Sequence, residues 1–342
     1  RRIFISGIAG FIGSHLAEAF IKRGDIVIGV DDLSGGDIRN LPTHLSQSRD
    51  LLRFFHEDLG NYPAIAEIFQ AHRPEVVYHC AANAREGASF YDPYKITRAN
   101  ALISSVVFEL AVRYHASKII FLSSMSAYGR GKVPCSETMR RQPVDVYGAM
   151  KTASEEMLEM LAGAHGFPYT IIRPHSCFGN RQSLCDMYRN AVAIFMNSIM
   201  REEPLYIYGQ GHIRAFSYIE DSLPAFVRAA DIGVADGEIV NVGGKDPITI
   251  TTLAQEIITN FPKYPTPEVI YLPPRHGEVE IAYVTWEKSE KLLGYEEKVG
   301  WQEGIKRMAK WAQEHGPQEW KPDRLAIPTE GMPLPWRNLH TG

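Results

Sequence analysis

The chain has only four cysteines in 342 residues, Cys80, Cys135, Cys177 and Cys185, with no CxxC pair and no spacing that suits zinc. Their scarcity excludes a disulfide-built secreted scaffold, and reduced thiols make the cytoplasm the expected compartment. No apolar run approaches the ~20 residues of a membrane-spanning helix, so no membrane partner is expected. A basic block is absent too: 36 Lys+Arg stand against 40 Asp+Glu, a formal net charge of −4. A slightly acidic balance argues against nucleic acid as a partner. His79 has no second ligand at metal spacing, so no metal site is expected.

What is present is enough apolar residue, 45%, to enclose a sizeable core in one large domain or two small ones. Short β-rich runs at 2–6, 26–30, 52–56, 76–80, 118–123 and 169–173 alternate with helical patterns. Ile12, Leu16 and Phe20, then Ile65, Ile68 and Phe69, recur at spacings of three and four. Such alternation predicts an α/β fold with a parallel sheet covered by helices on both faces. Ile119, Ile120, Phe121 and Leu122 are apolar in succession, as a doubly covered strand requires.

Beyond 173 the pattern loosens. Helices are predicted near 190–200, 222–230, 251–260 and 301–315, and β-like pieces at 215–219 and 239–242. The proline-dense connector 262–274 encloses a short strand. The tail, 317–342, carries five prolines. It is either extended and pinned by Trp320 and Trp336, or partly disordered.

The first β-run leads into Gly7-Ile8-Ala9-Gly10-Phe11-Ile12-Gly13 and then a helical pattern. Glycines there allow a tight turn, close approach of backbone to a pyrophosphate, and close helix–strand packing. Free N–H groups at the helix start, around Phe11 and Ile12, then face the phosphates. Asp31, at the end of the second run, can accept both ribose hydroxyls of NAD and would repel the 2′-phosphate of NADP. Asp32 stands beside it. Asp58, followed by Leu59, can reach the adenine amine or cap the next helix.

Tyr147 and Lys151 lie four apart and share one helix face. A phenol is a poor base at neutral pH unless a nearby ammonium stabilises its phenolate. Ser124, at the end of an apolar run, lies where a substrate-facing hydroxyl belongs in an open α/β sheet.

The glycine motif, Ser124 with Tyr147 and Lys151, and His79-Cys80-Ala81-Ala82 together resemble an extended short-chain dehydrogenase/reductase. Within that superfamily they are similar to the NAD-dependent nucleotide-sugar epimerases and dehydratases of the UDP-glucose 4-epimerase type. The resemblance implies a Rossmann-type doubly wound parallel sheet with a smaller, mixed C-terminal substrate-binding domain. NAD would bind 1–175, with 213–245 returning to it; 176–212 and 246–316 would bind the nucleotide sugar, leaving 317–342 as a tail. A homodimer through the helices near Arg98 and Tyr147 is also implied.

Residue by residue, the resemblance makes Tyr147 the base that takes the sugar 4-hydroxyl proton. Lys151 binds the nicotinamide ribose and lowers the tyrosine pKa, and Ser124 relays the proton. Ala81 and Ala82 line the dinucleotide groove and Asn100 stands near the cofactor. Asn190 would contact phosphate, Arg214 and Arg275 the diphosphate, and Glu278 a ribose. Ser176 replaces the family's usual asparagine. Arg85 can meet an anionic group on the sugar, or pair with Glu86 or a helix end. Tyr206 and Tyr208 either stack on the base or pack in a strand, and Met150, Met157 and Met160 read as core or dimer face.

The expected reaction is epimerisation at C4 of a UDP-sugar. Elimination needs a base and an acid, and the positions where sugar dehydratases carry an Asp-Glu pair are Met125 and Ser126. A small hydroxyl at Ser126 resembles epimerases, including those acting on UDP-hexuronates, for which Arg85 would matter. Glu86 is the acid that could enter from a loop. The alternatives are a dehydratase or decarboxylase of the same fold, or a silent NAD-binding scaffold.

Overall fold

The computed structural model describes residues 1–321, 323, 325–327, 332–333 and 335–336. Seven strands pair in parallel in the order Glu238–Gly243, Tyr169–His175, Lys118–Leu122, Val76–His79, Arg2–Ser6, Ile26–Asp31, Leu52–His56. Along Arg2–Ser6, Ile3 and Ile5 join one core with Leu16 and Phe20, while Phe4 joins a second with Phe69, Phe108 and Phe121. Successive side chains point to opposite faces, so a sheet covered on both sides buries every position. Each such Phe or Ile contributes about 1.5–3 kcal/mol.

The first strand lies between Ile26–Asp31 and Val76–His79, and the chain winds outward from it in both directions. Gly7 and Ala81 therefore meet at neighbouring carboxyl ends. A Cβ on Gly7 would stand 2.9 Å from Ala81 N. Crevices at such a reversal are where open α/β sheets bind ligands.

Helix Val146–His165 is capped by Asp145, whose side chain accepts from Gly148 N at 2.8 Å, and it ends at Gly166 in the left-handed region. This cap sets Tyr147 in the first turn, with Lys151 one turn later on the same face.

The later chain builds smaller layers. Ile213–Ala215 is the middle of three strands, antiparallel to Pro247–Thr249 and parallel to Ile281–Ala282. Leu205–Tyr208 pairs with Val269–Leu272, the strand expected inside the proline-dense connector. The β-like piece predicted at 215–219 is two short strands broken at Phe216, and its helix begins earlier, at Ile219. A short helix, Glu287–Leu293, is absent from the sequence reading, because its apolar residues sit only at its end.

The described tail residues follow the pinned alternative. Trp336, 2% exposed, packs with Ala88, Met187, Tyr188, Leu325 and Met332, and Trp320 Nε1 donates to Glu203 Oε2 at 2.7 Å. All four cysteines are free. Among the described residues no helix is long and apolar enough to cross a membrane, and no cluster of three metal-ligating side chains forms.

Candidate active site

A continuous cavity of about 1220 Å³ runs along the carboxyl ends of the sheet, from the glycine turn to the tail. At the first end, helix Phe11–Lys22 starts from Gly10 with no side chain capping it, so its free N–H groups face the opening. A Cβ on Gly13 would lie 2.1 Å from Gly7 O, so helix and turn close only on glycine. Asp31 Oδ2 accepts from Ala9 N and Oδ1 from Leu33 N, both at 2.9 Å. Burial raises the Asp31 carboxyl, while these amide bonds oppose the rise. Each oxygen keeps a lone pair for a ribose hydroxyl. Asp32 is tied to Ser34 N at 2.9 Å. A phosphate-sized cradle, a bare helix start and a positioned carboxylate fit an NAD dinucleotide.

Two residues expected at the cofactor have partners within the protein. Asp58 does not border the cavity and does not cap a helix: it accepts from Gly60 N at 2.7 Å and pairs with Arg98 at 2.5 Å, leaving Leu59 at the wall. Asn100 is fully buried and donates to Asn83 O and Ile96 O, so it braces the loop after Val76–His79 and does not reach the opening. Ala81 and Ala82 do line it.

In the middle of the cavity stand Ser124, Tyr147 and Lys151. Lys151 Nζ donates to Leu122 O at 2.9 Å and lies 5.9 Å from the Tyr147 ring centroid. Burial brings its ammonium down to about 8, against the pull of Cys80 and Glu155. Burial also pushes the Tyr147 phenol up, Glu86 adds to the rise, and a hydrogen bond with Ser124 opposes it. Asp145 is raised to about 7 by burial and by Glu86. Ser124 Oγ donates to Ser126 Oγ at 3.1 Å, and Ser126 Oγ donates to Glu86 Oε1 at 3.2 Å. The arrangement can hold a sugar hydroxyl between a phenol and a serine hydroxyl and move a proton between them.

The far end gathers Arg214, Arg275, Glu278, Ser176 and Asn190. Arg275 stacks on Tyr208 at 4.7 Å and pairs with Glu278 at 2.8 Å. Burial alone would raise the Glu278 carboxyl, but Arg275 prevails and holds it below its ordinary value. Arg275 Nε and Tyr208 Oη are buried without a partner, polar groups whose cost a ligand would relieve. Arg214 donates to the carbonyls of Ile213, Val279 and Glu280. Asn190 caps helix Ala191–Met200 by accepting from Val192 N at 3.0 Å. Ser176 adopts a positive φ of 41° at the wall.

Arg85 pairs within the protein, though with neither Glu86 nor a helix end. Its Nε and Nη2 bond Asp186 at 3.1 and 3.0 Å, its Nη1 bonds Asp323 of the tail, and its guanidinium lies 4.9 Å from the Tyr188 ring. Two carboxylates, Asp186 and Asp323, thus balance the charge of Arg85 from within the protein. Asp186 and Asp323, which border this end, escaped the sequence reading, and Trp336 entered it only as a pin for the tail. The only signal was a tryptophan inside a proline-rich tail. Met157 is half-buried against the core, whereas Met160 is 72% exposed.

The profile of the NAD dependent epimerase/dehydratase family matches residues 3–243. A UDP-glucuronate 4-epimerase of Thermodesulfobacterium geofontis is 27% identical over 317 residues, covering 91% of this chain and 96% of its own. The structure of UDP-glucose 4-epimerase from Thermotoga maritima with UDP-glucose matches at TM-score 0.85 and 33% identity, covering 92% of this chain and 99% of that one. The Thermus thermophilus UDP-glucose 4-epimerase complex with NAD matches at TM-score 0.83 and 28% identity, covering 91% and 98%.

Proposed function

The chain belongs to the NAD-dependent epimerase/dehydratase family, and from that premise we propose that it inverts C4 of a UDP-hexose or related UDP-sugar through a transient 4-keto sugar. The observation that carries this is the convergence, in one cavity, of the glycine cradle, the Ser124–Tyr147–Lys151 group and the Arg275 end. NAD, held by the glycine cradle and Asp31, would supply the redox chemistry for a reversible oxidation of the sugar carbon.

The residues divide the remaining work. Tyr147, as phenolate, takes the proton of the sugar 4-hydroxyl, and Ser124 bonds the same oxygen. The Lys151 ammonium offsets the phenolate charge. Asp31 holds the adenine ribose. Arg275 and Arg214 hold the diphosphate, since planar guanidinium forks suit its oxygens. In this division 1–175 and 213–245 serve the cofactor, and 176–212 with 246–316 serve the nucleotide sugar.

A second reading lets the keto sugar lose water or carbon dioxide, and the Glu86 carboxylate beside Ser126 is what favours it. A lone carboxylate is not the acid-and-base pair that elimination needs, and Asp145 is committed to its helix cap. Mass spectrometry of the product from a panel of UDP-sugars tests the choice. An isomer of unchanged mass is expected; loss of water or carbon dioxide overturns epimerisation. In the same assay Arg275→Ala should raise KM more than it lowers kcat.

A homodimer through the helices at 93–113 and 146–165 belongs to this reading. Tyr94, Leu102 and Met160, 78%, 53% and 72% exposed, support it. Sedimentation that finds only monomer at micromolar concentration would refute it.

A further inference from the structure

Relatives of this chain are named for sugars that differ at C6: UDP-glucose is neutral there, and UDP-glucuronate carries a carboxylate. Two charged side chains at the sugar end separate these possibilities. Arg85, the cation a uronate would seek, is consumed by Asp186 and by Asp323 of the tail. Glu86, the next residue, is exposed at the cavity wall, and no cation pairs with it among the described residues.

The position of Glu86 follows from its contacts. Its Oε1 accepts from Ser126 Oγ at 3.2 Å, and Ser126 Oγ accepts from Ser124 Oγ at 3.1 Å. It is also close enough to the Tyr147 phenol and to Asp145 to raise both. A C4 hydroxyl held by Tyr147 and Ser124 keeps C6 only two carbons away, so whatever C6 carries lies near Glu86. A hydroxyl there can donate to the carboxylate. A second carboxylate there would face it, while the nearest cations, Arg189 and Arg214, are bonded to Asp186 and to the carbonyls of Ile213, Val279 and Glu280. Two carboxylates so close repel one another, and a site that places them together rejects the second.

We propose that Glu86 is a specificity-determining residue: it accepts a hydroxyl of a neutral hexose and excludes hexuronates from the sugar end of the cavity. The inference rests on the reading of this cavity as a UDP-sugar site.

The test uses NAD-loaded full-length protein and Glu86→Gln, an isosteric change at an exposed side chain. Calorimetry measures affinities for UDP, UDP-glucose and UDP-glucuronate. The wild type should favour UDP-glucose over UDP-glucuronate by at least about 100-fold. Glu86→Gln should shrink that ratio by at least about 10-fold, chiefly through tighter UDP-glucuronate, with UDP affinity unmoved. A wild-type ratio near one, or a ratio unmoved by the substitution, overturns the filter alone, provided UDP still binds. Failure of UDP itself to bind overturns the nucleotide-sugar reading of the cavity, and the filter with it.

Discussion

Tyr147→Phe should lower turnover by about 10³-fold, roughly 4 kcal/mol in the barrier, while leaving the fold and NAD affinity nearly unchanged. The substitution removes one hydroxyl and keeps the ring, which is 4% exposed and well packed. That hydroxyl is the group with a hydrogen bond to Ser124 and with Lys151 beneath its ring. Ser124→Ala should cost less, because Tyr147 can still take the proton unaided. Steady-state kinetics on the accepted UDP-sugar, with circular dichroism and cofactor titration on the same variants, decide the matter. A phenylalanine variant retaining more than about a tenth of the wild-type rate, a loss of under ~1.4 kcal/mol, would remove Tyr147 from the role of base.

The largest stability effect should come from a residue that touches no ligand. Glu155 is fully buried beneath the site and receives Arg173 through Nε at 2.8 Å and Nη2 at 2.5 Å, Arg141 at 2.6 Å and Ser123 Oγ at 2.5 Å. Arg173 is 1% exposed, with its guanidinium 4.5 Å from the Tyr128 ring. Glu155→Ala should therefore destabilise the protein by about 3–5 kcal/mol, since it strands a guanidinium away from water. Arg173→Met combined with Glu155→Leu should cost less than Glu155→Ala alone, because both buried charges then leave together. Denaturant unfolding of the three proteins measures the order, and equal losses for single and double variants would contradict it.

The same group gives a pH dependence of known sign. Burial works to raise the Glu155 carboxyl, but Arg173 and Ser123 prevail and hold it below its ordinary 4.5. The stabilisation is complete above that ordinary value and is lost as pH falls through the lower folded one. Glu155→Ala should flatten that part of the acid-unfolding profile.

The sheet and its cofactor end were legible from neighbouring residues alone. Glycine at 13 is demanded by the Gly7 carbonyl, 2.1 Å from a would-be Cβ, a constraint carried by the local chain. Continuous apolar runs such as Ile119 to Leu122 announce a strand covered on both faces, and the spacing of four between Tyr147 and Lys151 announces that they share a helix face. These are consequences of steric and periodic rules that act over a few residues. The charges at the sugar end obey no such rule. Whether Arg85 was free for substrate depended on Asp186, 101 residues later, and on Asp323, 238 residues later. Asp58 and Asn100 turned from the cavity toward Arg98 and Asn83 for the same reason. A long polar side chain takes the partner that tertiary packing brings within about 3 Å, and sequence spacing does not encode which loop that will be. So the amino-acid sequence by itself determined the doubly wound sheet, the glycine cradle and the Ser124–Tyr147–Lys151 group. Only the tertiary structure decided that Arg85 pairs with Asp186 and Asp323 and that Glu86 borders the cavity beside Ser126.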